Sequence, residues 1–185
     1  VILVILLVLY IVHENYRRDQ ELMKYAQTDA LTGLYNKETT KLRTDEILST
    51  DKDMIHAFLI LDMDCFKQIN DGYGHAVGDI VLQKFGQLLR DIFREDDIVG
   101  RIGGDEFVVV MKNIKMKEMA IAKAEELLTK TQQYEIKELN GSAISISIGI
   151  AMAPEDGECY MDLYKRADQA LYQAKRSGKA RVCGY

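Results

Sequence analysis

The first twelve residues, Val1 to Val12, are apolar except for Tyr10, and the chain turns polar from His13 onward. A bilayer-spanning helix needs about twenty apolar residues, so this run is too short alone. It reads as the cut end of a membrane helix. Tyr10 stands at the interfacial position and Arg17, Arg18 and Lys24 follow, which by the positive-inside rule puts the remainder on the cytoplasmic side. A buried core helix and a signal-peptide remnant are the alternatives, but basic residues before the run and small residues after it are both missing. Residues 13–28 contain no Gly or Pro. Val12, Tyr16, Met23 and Ala26 form a stripe interrupted by Asp19, a weak heptad that suits either a stalk pairing with a second copy or a solvated linker helix.

Beyond residue 28 the pattern alternates between periods. Asn36 to Ser49 reads as a helix, and His56 to Leu61 (HAFLIL) as a strand buried on both faces. Val77, Val81, Phe85, Leu88 and Ile92 recur at helical spacing, which predicts an amphipathic helix over Ala76 to Phe93. Ile98 to Ile102 and Glu106 to Met111 read as two strands joined through Gly103-Gly104, a hairpin signal. Met116 to Thr131 reads as another helix. Ile144, Ile146, Ile148 and Ile150 alternate with Ser145, Ser147 and Gly149, as in a half-buried strand. Tyr160 to Ala174 is the last helix, with a short strand expected near Arg181 to Cys183. The order predicts an α/β (α+β) layer: a central, mostly antiparallel sheet flanked by helices and preceded by an N-terminal helix.

Composition narrows the function classes. With 48% hydrophobic and 29% charged residues, the 185-residue chain can bury one core of ordinary domain size. A net charge of −5 excludes a broad nucleic-acid footprint, so a phosphate-bearing ligand must be held by local groups. Cys65, Cys159 and Cys183 are odd in number and widely spaced, which argues against a disulfide framework or a zinc site and suits a reducing compartment.

Three clusters carry candidate chemistry. Asp62 and Asp64 directly follow the HAFLIL strand, where a carboxylate is costly unless it is paired or binds a cation. Oxygen ligands of this kind suit Mg²⁺, while a cap for the Phe66-Lys67-Gln68 turn is an equal alternative. Gly103-Gly104-Asp105-Glu106 places two more carboxylates on a tight turn. Two strand-end acidic pairs in one small domain favour a shared metal site over two unrelated turns. The stretch from Asn70 to Asp79 runs Asn-Asp-Gly-Tyr-Gly-His-Ala-Val-Gly-Asp into a helix start and is neither a Walker A loop nor a dinucleotide fingerprint. Asn70 and Asp79 offer the donor and acceptor set that a guanine edge needs, though loops rich in Asn and Asp are also common caps.

The sequence resembles the GGDEF family of diguanylate cyclases, from Asp29 to Val182. Four ordered motifs carry the likeness: Asp29-Ala-Leu-Thr-Gly-Leu-Tyr-Asn36, the acidic run from Asp62 to Asp79, Arg101-Ile-Gly-Gly-Asp-Glu-Phe107, and Ala170-Leu-Tyr-Gln-Ala-Lys-Arg-Ser-Gly178. The resemblance implies a nucleotidyl-cyclase or polymerase-palm fold for residues 29–185 and condensation of two GTP into cyclic di-GMP. It implies that Asp62, the Met63 carbonyl and Asp105 hold Mg²⁺ (or Mn²⁺ in its place), that Asp105 accepts the 3′-hydroxyl proton, and that Glu106 assists. By the same likeness Lys67 stabilises charge on the phosphates, Lys175 and Lys179 grip the triphosphate, Asn70 and Asp79 read guanine, and His75 lines that pocket. Arg94 and Asp97 match the Arg-x-x-Asp of an inhibitory product site, although the spacing also suits a plain charged loop.

Joining two GTP across two domains implies a homodimer, to which the helix at 13–28 contributes, and a site at the inner membrane facing the cytoplasm. Lys37 and Lys179 stand where the family often has Arg, keeping the charge but not the planar fork. A catalytically silent receptor that binds cyclic di-GMP through Arg94 and Asp97 is the runner-up, with an ATP-accepting cyclase and a purely structural dimerisation domain behind it.

Overall fold

The computed structural model describes residues 9–15, 17–18 and 26–185. Its centre is the apolar run of strand β1 (Ile55–Met63), from His56 onward buried on both faces. β1 pairs antiparallel with β3 (Glu106–Ile114) on one side and with β4 (Ile146–Ala153) on the other. β2 (Ile98–Gly103) adds antiparallel to β3, and β5 (Val182–Gly184) adds parallel to β4, giving the order β2-β3-β1-β4-β5. The mostly antiparallel sheet is as expected.

Alternation along β1 sorts the helices onto two faces. Ala57, Leu59 and Leu61 meet α3 (His75–Ile92) and α4 (Lys117–Gln133) through Val81, Phe85, Leu89, Ala124 and Leu127. Phe85 stands edge-on to Phe107 at 4.9 Å between centroids. Phe58 and Ile60 face the other way, toward Leu48 of α1 (Lys37–Thr50) and Tyr160, Leu163, Ala167 and Leu171 of α5 (Tyr160–Arg176). Each such side chain withdrawn from water contributes about 1.5–3 kcal/mol before the entropy of ordering is set against it.

Asn36 starts α1 as predicted. Its side chain accepts the Thr39 N–H at 3.0 Å, a standard N-cap. Two local expectations change. The Phe66-Lys67-Gln68 segment is the start of an eight-residue helix, α2 (Phe66–Tyr73), and Cys65 precedes it in the left-handed region without a side-chain cap. β4 is buried along its whole length, not half-buried. Its small residues lie under α5: a Cβ on Gly149 would come within 2.1 Å of the Ala167 carbonyl oxygen. Ser147, fully buried, spends its hydroxyl on Asp64.

Residues 9–15 and 17–18 are helical, with Leu9, Tyr10 and Val12 exposed. Residues 1–8, and Tyr16 and Met23 of the predicted stripe, lie outside the described residues. The expected placement at the inner membrane is corrected. Among the described residues no helix is long and apolar enough to cross a membrane; of the apolar run only residues 9–12 are among them, against the roughly twenty that a bilayer demands.

Candidate active site

The two acidic pairs meet at one end of the sheet. In the β1–β3 register Asp62 is the cross-strand partner of Glu106. The β2–β3 turn is closed by Gly103 paired with Glu106, with Gly104 at φ +39° and Asp105 at the tip. That backbone conformation suits glycine, which explains Gly104 before the acidic residues. The Asp105 carbonyl accepts the Met63 N–H at 3.3 Å, so the tip is stitched to the end of β1.

Asp62 is buried, and its carboxylate receives the Lys175 ammonium at 2.8 Å. Burial raises its pKa above the ordinary value; Lys175 opposes the rise, while Asp105 and Asp64 add to it. Glu106 is raised as well, first by burial and then by the Asp62 charge. Carboxylates that resist ionisation in one partly desolvated spot, even beside a lysine, are poised for an added cation.

Asp64 behaves differently from its neighbour. Its carboxylate accepts the hydroxyls of Ser145 (2.6 Å) and Ser147 (2.7 Å) and the Ala180 N–H (3.1 Å). Neither of the two roles weighed for it, metal ligand or helix cap, matches these bonds; it ties β1, β4 and the loop after α5 together. Among the described residues no three His, Cys, Asp or Glu side chains converge as a closed metal cage. The set of two carboxylates plus the Met63 carbonyl still fits Mg²⁺, which usually takes one or two carboxylates and fills its shell with water and substrate phosphate.

Three lysines surround this end. Lys67 is exposed on the first turn of α2, and Lys175 pairs with Asp62. Lys179, exposed and at φ +61°, directs its ammonium to the Cys65 sulfur at 3.2 Å, a contact that raises its pKa. Asn70 and Gly78 come together where α2 meets α3 at Gly74 (φ +86°), with Asp79 the next residue along α3. The Asn70 amide crosses the first turn of α3 so closely that a Cβ on Gly78 would sit 2.0 Å from its oxygen. His75 opens α3, and both it and Asp79 are exposed.

Arg94 and Asp97 lie at the far end of β2, about 17 Å from the Gly103 end by strand rise. There they border a surface cleft of about 570 Å³ shared with Gly33, Tyr35 and Arg90. The Asp97 carboxylate is already engaged, accepting the N–H groups of Arg94 and Lys112, both at 3.0 Å. A further cleft of about 460 Å³, lined by Asp45, Leu48, His56, Pro154 and Cys159, carries none of the expected site residues.

The sequence reading passed over Asp168 and Tyr164. Both are close enough to Glu106 to interact electrostatically, and Asp168 shares a cleft with Glu106, Tyr172, Lys175 and Arg176. Asp168 and Lys175 stand seven apart on one helix, a spacing that puts them on the same face.

Comparison with known proteins agrees with this geometry. The diguanylate cyclase GGDEF-domain profile matches residues 26–181. The chain belongs to the GGDEF family. Diguanylate cyclase DgcS of Shewanella oneidensis is 37% identical over 168 residues, covering 89% of this chain and 55% of its own length. The chain therefore spans little more than half of that relative. The GGDEF domain of TpbB (YfiN) from Pseudomonas aeruginosa superimposes with a TM-score of 0.79 at 35% identity, covering 85% of this chain and 93% of that one. The coiled coil and GGDEF domain of DgcB from Caulobacter crescentus, in complex with cyclic di-GMP, gives 0.87 over 96% of this chain and 95% of that one. At 24% identity it speaks for the fold alone. The GGDEF family accounts for the four motifs and for the five-stranded sheet flanked by helices.

Proposed function

We propose that this GGDEF domain is an active diguanylate cyclase. The observation that carries the reading is the pairing of Asp62 with Glu106 across β1 and β3, which makes one site of two acidic motifs, with Lys175 at its edge.

GTP is held with guanine between Asn70 and Asp79, the carboxylate accepting from the base N–H groups and His75 lining the pocket. An adenine would leave those groups unpaired, which opposes ATP as substrate. Lys67, Lys175 and Lys179 hold the phosphates and offset charge that builds on them. Asp62, the Met63 carbonyl and Asp105 would hold Mg²⁺ (or Mn²⁺), which when bound would neutralise phosphate charge and lower the pKa of the attacking hydroxyl. Asp105 accepts the proton of the 3′-hydroxyl, with Glu106 beside it. A bond forms from that oxygen to the α-phosphorus of the second GTP, and the bond from that phosphorus to pyrophosphate breaks in line. The same exchange repeated in the opposite sense closes the ring and releases the second pyrophosphate.

One domain presents one such site, so two copies must face each other. Pairing of the segment at residues 13–28 with its counterpart in a second copy would raise the concentration of one site at the other. Product binding at Arg94, in the cleft with Arg90 and Tyr35, gives feedback inhibition; guanidinium groups suit both phosphate and the guanine edge.

The test is purified protein with GTP and Mg²⁺, products separated by chromatography, beside Asp105→Ala. Cyclic di-GMP from the parent and none from the variant is the expected result. A verified dimer of the parent that forms no product refutes the reading.

A further inference from the structure

One of the four motifs, Asp29 to Asn36, and the first residue of another, Arg101, have no task in the reaction above, yet they are joined in space. Arg101 lies on β2, three residues before Gly104. Its Nε and Nη2 both donate to the Gly104 carbonyl, at 3.0 and 2.8 Å. Its Nη1 reaches back to both carboxylate oxygens of Asp29, 72 positions earlier, at 3.1 and 3.2 Å. Asp29 is itself held, accepting the Thr32 N–H at 2.9 Å and the Thr32 hydroxyl at 2.7 Å. The guanidinium is largely shielded, with 14% of the side chain accessible. A planar fork donating in two directions fixes its own orientation, which a lysine cannot do.

The atoms so fixed flank Asp105. The carbonyl before it, on Gly104, is held by Arg101, and its own carbonyl is held by the Met63 N–H. The tip of a two-residue turn is thus pinned on both sides. The pinning also reaches the start of the domain. Tyr35 pairs with β2 through its N–H to Val99 and its carbonyl to the Arg101 N–H, and the Asn36 side chain donates to the Ala26 carbonyl at 2.7 Å.

We infer that Arg101 is a positioning residue for Asp105, with Asp29 orienting Arg101, so that the loop following the N-terminal helix sets the geometry of the catalytic turn. The inference rests on the cyclase reading for its consequence in rate. It assigns the Asp29 loop a second task beyond starting the fold: a displacement of residues 26–29 reaches Asp105 through two side chains. Small misplacements of a reacting group are costly, since 1 Å can mean about a hundredfold in rate.

The experiment compares the parent with Asp29→Asn, Arg101→Lys, Arg101→Met and the double variant Asp29→Asn/Arg101→Met, all on the full chain. Steady-state kinetics give kcat, KM for GTP and the Mg²⁺ concentration for half-maximal rate. Hydrogen exchange at the Met63 amide reports the turn without reference to activity. Arg101→Met is expected to lower kcat about thirtyfold or more, to raise the Mg²⁺ requirement severalfold and to leave KM within about twofold, because the guanine contacts lie on α2 and α3. Arg101→Lys recovers part of kcat. The double variant is no slower than Arg101→Met alone, because Asp29 acts through Arg101. Met63 exchange quickens while amides in the middle of β1 stay slow.

Unchanged kcat and unchanged Met63 exchange in Arg101→Met overturn the proposal. So does a loss of kcat that only tracks the fraction of folded protein, with exchange faster throughout β1. A parent that makes no cyclic di-GMP sinks the cyclase reading instead, and Met63 exchange still decides whether Arg101 holds the turn.

Discussion

Asp64→Ala tests whether the second aspartate after β1 is a structural tie. The substitution strands three donors. The Ser147 hydroxyl is fully buried and loses its acceptor outright, which costs about 1–3 kcal/mol. The Ser145 hydroxyl is half-buried and water recovers part of its bond, so about 1 kcal/mol is lost there. The Ala180 N–H is exposed and contributes a few tenths of a kcal/mol. Removing a negative charge near Asp62 relieves repulsion and offsets roughly 0.5 kcal/mol at the effective dielectric of a partly open site. The sum is a loss of about 3 kcal/mol, or about 6–12 °C in Tm for a domain of this size.

The assay is urea unfolding at 25 °C, followed by far-ultraviolet circular dichroism at one fixed protein concentration with EDTA, so that neither metal nor association changes between samples. Ser147→Ala alone costs less, and in the double variant the buried hydroxyl is no longer stranded. The double variant is therefore more stable than the two single losses added together, by about 1 kcal/mol. An Asp64→Ala protein within 0.5 kcal/mol of the parent, or strict additivity, refutes the reasoning.

Two further outcomes follow from contacts already described. Gly149→Ala forces a methyl against the Ala167 carbonyl and the Leu171 N–H, backbone atoms that move only with the whole of α5, and is expected to cost about 3 kcal/mol in the same urea assay. For Asp29, burial raises the pKa but hydrogen bonds from Thr32 and the Arg101 pair outweigh it, so the folded value lies below the ordinary 3.8. Its contribution is therefore present above 3.8 and lost as pH falls through the lowered value. The Tm gap between the parent and Asp29→Asn, open at pH 7, should close below that range; a gap constant with pH refutes the assignment.

Much of the fold was legible because local and global patterns coincide. The HAFLIL run is buried on both faces as its lack of alternation requires, and Asn36 caps the helix its position announces. The alternation at 144–150 misled, since period two normally marks one wet face. Here Gly149 alternates because α5 lies too close for any side chain, and Ser147 because the half-buried Asp64 carboxylate takes its hydroxyl. The start of α2 was read as a turn because Cys65 supplies no side-chain cap. In the site, the acidic residues were visible as types at strand ends, while Lys67, Lys175 and Lys179 were singled out only through the family likeness. Long-range partnerships were not: nothing near Asp29 announces Arg101, nothing near Asp64 announces Ser145 and Ser147, and the role of Asp168 depends on how α5 crosses the sheet. The apolar residues 1–12 were read as a membrane end on composition; residues 1–8 lie outside the described residues, and among the described ones no helix is long and apolar enough to cross a membrane.

The segment around Tyr35 has one more consequence. β2 is the last strand on its side of the sheet, and its outward N–H and C=O groups would otherwise invite another chain to add on. Tyr35 occupies part of that row, bonding at Val99 and Arg101 and forming a parallel bridge with Gly100. A chain trimmed to begin at Lys37 would keep α1 to α5 and β1 to β5, yet bare a sticky margin. The working boundary of the folding unit thus lies upstream of α1, at a stretch that has no regular structure of its own.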